Sequence, residues 1–192
     1  MAKAENKVKF GLKNVYYALL TEGEDGAITF GTPKPIPGAV NLNLPAQGDT
    51  TKFYADNVAY YVAVANDGYQ GDLEIARVPD SYAQDVLKED LDSKDSVLVE
   101  RADVEPAPHA LLFEFAGDKH ATRHVLYNCT CARPTVAGAT TTNTKEPGTS
   151  TLTITAAPLS NGLVKAKTTA NTPDATVNNW YKSVWQPTAG EE

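Results

Sequence analysis

The chain has 192 residues, with 17 Lys and Arg against 24 Asp and Glu and a formal net charge of −7. That length is enough to bury a core without cross-links. The two cysteines exclude a disulfide scaffold, and the acidic balance carries no basic footprint for gripping a nucleic-acid backbone. No apolar run is long enough to cross a bilayer, and residues 1–9 lack the apolar centre of a secretory signal. The expectation is one soluble, acidic domain over 1–192, made in the cytoplasm, with no membrane insertion.

Residues 7–20 are rich in β-branched and aromatic residues, and 22–26 are a turn leading back through 27–30, so a hairpin is predicted. Pro33, Pro35 and Pro37 exclude a central strand over 31–38. Val40, Leu42 and Leu44 alternate with Asn41 and Asn43, the pattern of a half-buried strand. Residues 45–51 read as a polar turn. The nearly continuous apolar run 58–65 predicts a strand buried on both faces, or buried on one and in a subunit contact on the other. After the turn Asn66-Asp67-Gly68, residues 72–78 alternate again.

One helix is predicted, over 79–91. Ser81 and Gln84 fit a capping box. Tyr82, Ala83, Val86, Leu87 and Leu91 form one apolar stripe, and Asp85, Lys88, Glu89 and Asp92 form the opposite, solvent-facing stripe. Residues 79–105 hold nine acids and three bases, six of the seven net negative charges. Such a run is ordinarily a solvated face.

Strands follow at 96–101 and 111–115, and a longer one over 122–132 with Val125, Tyr127, Cys129 and Cys131 on one face. Residues 134–150 are rich in Thr, Ala and Gly, so a flexible loop is expected. A clear strand covers 151–156, with 163–167 pairing to it across Asn161-Gly162. Trp180, Tyr181 and Trp185 read as anchors for the C-terminal tail. The expected fold is mainly β: an antiparallel sandwich or open barrel of about ten strands with one flanking helix. Its appendages are an N-terminal arm (1–9), a long loop region (31–57), the flexible loop (134–150) and a C-terminal arm (169–192).

The residues yield no candidate for catalysis, cofactor binding or metal ligation. His120, His124, Cys129 and Cys131 are zinc-type ligands, but strand alternation puts His124 opposite the two cysteines. The cysteines are expected as buried, reduced thiols, because next-but-one positions on a strand do not fit disulfide geometry. Asn128-Cys129-Thr130 matches a glycosylation acceptor only formally. No Ser lies in a Gly-x-Ser-x-Gly elbow. Gly68 and Gly71 are too few for a phosphate loop, and the acids of 85–103 lack calcium-loop spacing. The chain is therefore expected not to be an enzyme.

Five strings occur in order: FGLKNVYYA at 10–18, NDGYQGDLE at 66–74, LLFEFAGD at 111–118, RHVLYNC at 123–129 and TLTITA at 151–156. Together they resemble the major tail proteins, or tail-tube proteins, of long-tailed non-contractile bacteriophages, over about residues 10–168. The resemblance implies a β-sandwich with one outer helix that closes into homohexameric rings and stacks into a tube. The implied partners are the tape-measure protein in the lumen, the tail terminator and distal tail proteins at the tube ends, and double-stranded DNA as non-specifically passing cargo. The implied location is the virion tail, assembled in the host bacterial cytoplasm, with 31–57 reaching a neighbouring ring. Some relatives carry an extra C-terminal immunoglobulin-like domain, which the length here leaves unexpected. A β-sandwich adhesin or binding module on a cell or virion surface is the alternative.

Overall fold

Alternating and β-branched segments build strands along most of the chain. The computed structural model describes residues 4–23, 26–140 and 147–188. In chain order the elements are β1 (Lys9–Glu22), β2 (Ile28–Phe30), β3 (Lys34–Pro35), β4 (Ala39–Asn43), β5 (Ala46–Gln47), β6 (Thr50–Ala55), β7 (Val58–Val64), β8 (Gly68–Ile75), α1 (Asp80–Asp85), β9 (Asp90–Leu91), β10 (Leu98–Val99), β11 (His109–Gly117), β12 (Thr122–Cys131), β13 (Ser150–Ala157), β14 (Lys165–Lys167) and α2 (Asp174–Asn179). The fold is mainly β, with antiparallel sheets and two short helices.

The principal sheet runs β2-β1-β11-β12-β13-β8-β4, with β3 added to β1, β5 to β8 and β14 to β12. β4 comes back into contact with β1, so the sheet curls around a first core. Val15, Tyr17, Leu73, Ile75, Leu111, Leu126, Leu152 and Ile154 fill that core, and Tyr82, Val86 and Leu87 close it from α1 and the turn after it. A second core lies on the outer face of β1, β11 and β12. There Ala18, Ala110, Leu112, Val125 and Tyr127 pack beneath Leu159 and Trp180 from the C-terminal region. Both faces of the central strands are covered, so β11 is apolar at successive positions rather than alternating.

Two glycines let the strands of the first core approach closely. Gly68 has φ +105°, and a Cβ on it would stand 1.9 Å from the Ala156 carbonyl oxygen. A Cβ on Gly71 would stand 2.1 Å from the Asn43 carbonyl oxygen. Any side chain at either position would collide with backbone, which cannot yield as a flexible side chain can.

Several expectations are corrected. The helix covers Asp80–Asp85 rather than 79–91: it starts after Pro79, which occupies the N-cap without a side-chain cap, and Lys88 at φ +60° excludes its continuation. Ser81 already lies inside the helix, so the capping box does not form. The chain leaves the helix after Asp85 and enters a small hairpin, where β9 pairs with β10 and leaves Leu91 exposed. A second helix, α2, stands within the expected C-terminal arm. β14 pairs with β12, not with β13. The pairing of β12 explains this: its Asn128–Cys131 half is taken by β13, and its His124–Leu126 half is left for β14.

Region 31–57, expected as a long loop, holds β3, β4, β5 and β6. Ile36 is buried in the first core and β4 pairs with β8, so only its later part projects from the body. The N-terminal arm is fastened from residue 6. Asn6 Oδ1 accepts hydrogen bonds from the Lys119 and His120 amides at 3.0 Å each, and Asp118 Oδ1 accepts one from the Lys7 amide at 2.8 Å. Of the expected loop 134–150, residues 141–146 lie outside the described residues; 134–140 and 147–149 carry no helix or strand.

Candidate assembly surface

The largest departure from expectation is the run 58–65. All but its last residue forms β7, which pairs only with β6, in a two-stranded sheet separate from the main one. The Asp56-Asn57 turn carries φ +50° and +61°. These residue types tolerate that left-handed geometry, and it matches the twist of a two-residue hairpin. Backbone hydrogen bonds from Ala65 to Asp49 and from Asp67 to Gln47 join the hairpin to the body.

Strand alternation gives this hairpin two apolar faces. By the pairing register, Tyr54, Val62 and Val64 share one, Phe53, Tyr61 and Val58 lie on the other, and Tyr60 is the extra residue of the bulge between them. All seven are exposed, Tyr60 to 73% and Val64 to 74%. The run is therefore not buried in the subunit on either face. A short two-stranded sheet has no third layer of its own, and a lone hairpin is marginal in water. Both outer edges also present backbone groups that no other strand of the described residues takes up. Exposed apolar faces and open edges together make a surface suited to another chain.

The residues with reactive side chains are arranged differently. A bulge between β11 and β12 sets His109 opposite Cys129 but Leu111 opposite Leu126. It inverts the alternation along β12: Val125 and Tyr127 enter the second core, while Leu126, Cys129 and Cys131 enter the first. His124 stacks on Phe113 at 5.1 Å, on that same side. The parity expectation for His124 and the cysteines is thus overturned. They still do not converge, because His124 lies towards one end of the first core and the cysteines towards the other. Among the described residues, no group of three or more His, Cys, Asp or Glu side chains is placed to hold a metal ion.

Cys129 and Cys131 are both free and buried. Burial pushes the Cys129 thiol up to about 12, so it stays protonated. His109, which the sequence did not single out, is fully buried beside them. Burial lowers it to about 4, against partial compensation from the Ala107 carbonyl. A neutral ring fits the geometry: Nδ1 lies 3.4 Å from the Ala107 oxygen, and Nε2 lies 3.3 Å from the Tyr82 hydroxyl. A protonated thiol beside a neutral imidazole is not an activated nucleophile. The thiols instead donate to the Leu126 and Ala132 carbonyls.

Asp85 was expected in solvent on the helix's outer face. It instead accepts hydrogen bonds from the Tyr17 hydroxyl at 2.7 Å and Lys34 Nζ at 2.6 Å. Its partial burial raises the carboxyl pKa, but the bonds from Lys34 and Tyr17 outweigh that and hold it below the ordinary carboxylate value. At the opposite side of the sheet, Glu114 is buried. It accepts from Asn14 Nδ2 at 2.7 Å, Arg123 Nε at 3.1 Å and the Tyr181 hydroxyl at 3.1 Å. Arg123 also bonds the Val177 carbonyl. This network pins the C-terminal segment, as do the buried Trp180 and its stacking with Trp185 at 6.3 Å.

The chain matches no protein-family model and no curated protein.

Proposed function

We propose that this chain is a non-enzymatic structural subunit of a bacteriophage tail tube. Copies close into hexameric rings, the rings stack, and the tube conducts genomic DNA from virion to host. The observation that carries the reading is the β6–β7 hairpin: an arm apolar on both faces, open on both edges and exposed in the lone subunit. Burying one of its large side chains against another subunit would contribute about 1.5–3 kcal/mol, and several act together. The resemblance of the five strings to tail-tube proteins supplies the identity of the assembly. The acidic charge balance of the chain is compatible with a conduit, because a basic lining would hold the cargo. The tape-measure protein would fill the lumen before ejection, with terminator and distal tail proteins at the ends.

Negative-stain electron microscopy of the purified chain tests this. Six-membered rings or tubes are expected. A monodisperse monomer at every concentration and salt condition would exclude the reading and leave a surface-binding β-sandwich as its replacement.

A further inference from the structure

The first core is closed at one end and open at the other. Tyr82, Val86 and Leu87 plug the end where His109 begins β11. About six residues along that strand, on the order of 20 Å away, Phe115 borders an open cleft of about 310 Å³. The cleft walls are aromatic: Phe113, Phe115, His124 and Tyr69. Lys9 Nζ lies 5.0 Å from the Phe115 ring centre and Lys165 Nζ lies 4.3 Å from that of Tyr69. Lys167 is directly opposite His124 across the β12–β14 pair. Among the described residues, none of these three ammonium groups has a carboxylate within 4.0 Å. Burial, and then the charges of Lys165, Lys167 and Lys9, hold His124 down to about 4, a sign of uncompensated positive charge at this mouth.

The plugged end has the opposite character. There the β9–β10 hairpin exposes Leu91, Val97 and Val99; Asp90 and Glu100 are paired with Arg101 and Arg133, and the turn carries Asp92 and Asp95 against the single base Lys94. Arg133 holds the surrounding segment in place. It donates to the Arg101 and Val104 carbonyls at 3.1 and 3.0 Å and pairs with Glu100 at 3.3 Å. An acidic, apolar knob thus stands at one end of the barrel and a basic, aromatic cleft at the other. The two are too far apart to meet within one subunit.

We propose that the cleft bordered by Lys9 and Lys165, with Lys167 beside it on β14, docks the β9–β10 hairpin of a second copy of this chain. Val97 and Val99, which lie on the same hairpin face as Asp90, cover the aromatic wall, and the aspartates meet the lysines. The contact is head-to-tail, the kind that builds a ring or a filament rather than a closed dimer. It rests on the self-assembly reading and adds a second surface to the β6–β7 arm. Charge complementarity of this type sets orientation and association rate and weakens with salt.

The test uses two full-length variants. Lys165→Glu with Lys167→Glu reverses the cleft. Ser93→Lys with Asp95→Lys reverses the knob while sparing the Asp92 turn bonds and the Asp90–Arg101 pair. Each variant alone should associate at least about tenfold more weakly than the native chain, and an equal mixture should assemble with the two alternating. Native-like assembly of either variant alone, or a mixture no better than its components, would overturn the docking.

A second measurement does not depend on how the variants fold. Carbodiimide coupling of mixed light and ¹⁵N-labelled native chains should join the three lysines to Asp90, Asp92 or Asp95 between copies. Rings or tubes without those links would sink the docking and leave the proposed function standing. Linked head-to-tail chains without rings or tubes would support the docking and count against the tube. No self-association at all would remove both.

Discussion

Helix α1 with the turn after it, and the β6–β7 hairpin, are both apolar segments, yet they meet opposite environments. Tyr82, Val86 and Leu87 are buried in the first core, while Tyr60, Val62 and Val64 stand in solvent. The difference lies in the third layer. The helix presents a single apolar stripe, and the open end of a curled sheet is there to receive it. The hairpin presents two apolar faces, and the subunit offers no surface for either. Apolar content alone therefore marks a segment that will be covered; whether its own subunit covers it depends on the surroundings.

Four substitutions or conditions probe that contrast, beginning with the largest effect. Leu87→Ala should cost about 2–5 kcal/mol of subunit stability, since it removes a fully packed side chain and leaves a cavity. Urea denaturation gives the value, and a loss under about 1 kcal/mol would mean the plug is loosely packed.

Acid should then weaken the plugged end. Above the ordinary histidine value of 6.5, His109 is neutral in both the folded and the unfolded chain. As the pH falls below that value, the unfolded chain takes up a proton that the folded one refuses until about 4, so stability drops across this window. The full contribution of this group is about 3 kcal/mol. Denaturation midpoints measured across the window should fall with pH. His109→Phe should lessen that slope without removing it, because His124, also held to about 4, titrates in the same window; the variant starts from a lower stability.

The two acids expected on one solvent face should separate. Asp85→Lys removes the acceptor of Tyr17 and Lys34 and should cost about 1–3 kcal/mol. Glu89→Lys should change stability by less than about 1 kcal/mol. Equal melting shifts for the two would contradict the role of Asp85 as an internal acceptor.

The smallest effect on the isolated subunit belongs to the hairpin. Tyr60→Ser with Val62→Thr and Val64→Thr removes no packed contact and should leave monomer stability within about 0.5 kcal/mol. The same change should abolish rings and tubes in micrographs. A destabilised subunit would mean the hairpin packs against its own body in solution.

Much of the strand content was legible because alternation is a local signal. β1, β4, β11, β12 and β13 fall where the period-two pattern or β-rich runs put them, and β8 overlaps its expected stretch over 72–75. The buried cysteines, the apolar stripe of α1 and the Trp180 anchor were also readable, because each follows from side-chain character. The faces of β12 were not. Alternation counts residues, and one extra residue in a bulge moves every later side chain to the other side. Hence Cys129 sits with Leu126, not with Tyr127.

Local pattern in the amino-acid sequence determined that this chain is built of antiparallel strands, where most of them lie and which segments must be covered by something. Tertiary structure decided what does the covering. Only the curl of the sheet could show that α1 is a plug, that His109 lies beside Cys129, and that Asp85 is tied to Tyr17 and Lys34, residues 68 and 51 positions away. It alone left the 58–65 run outside the subunit core. Periodicity reports how a segment divides polar from apolar faces; the partner of each face is a matter of long-range contact, which no local pattern encodes.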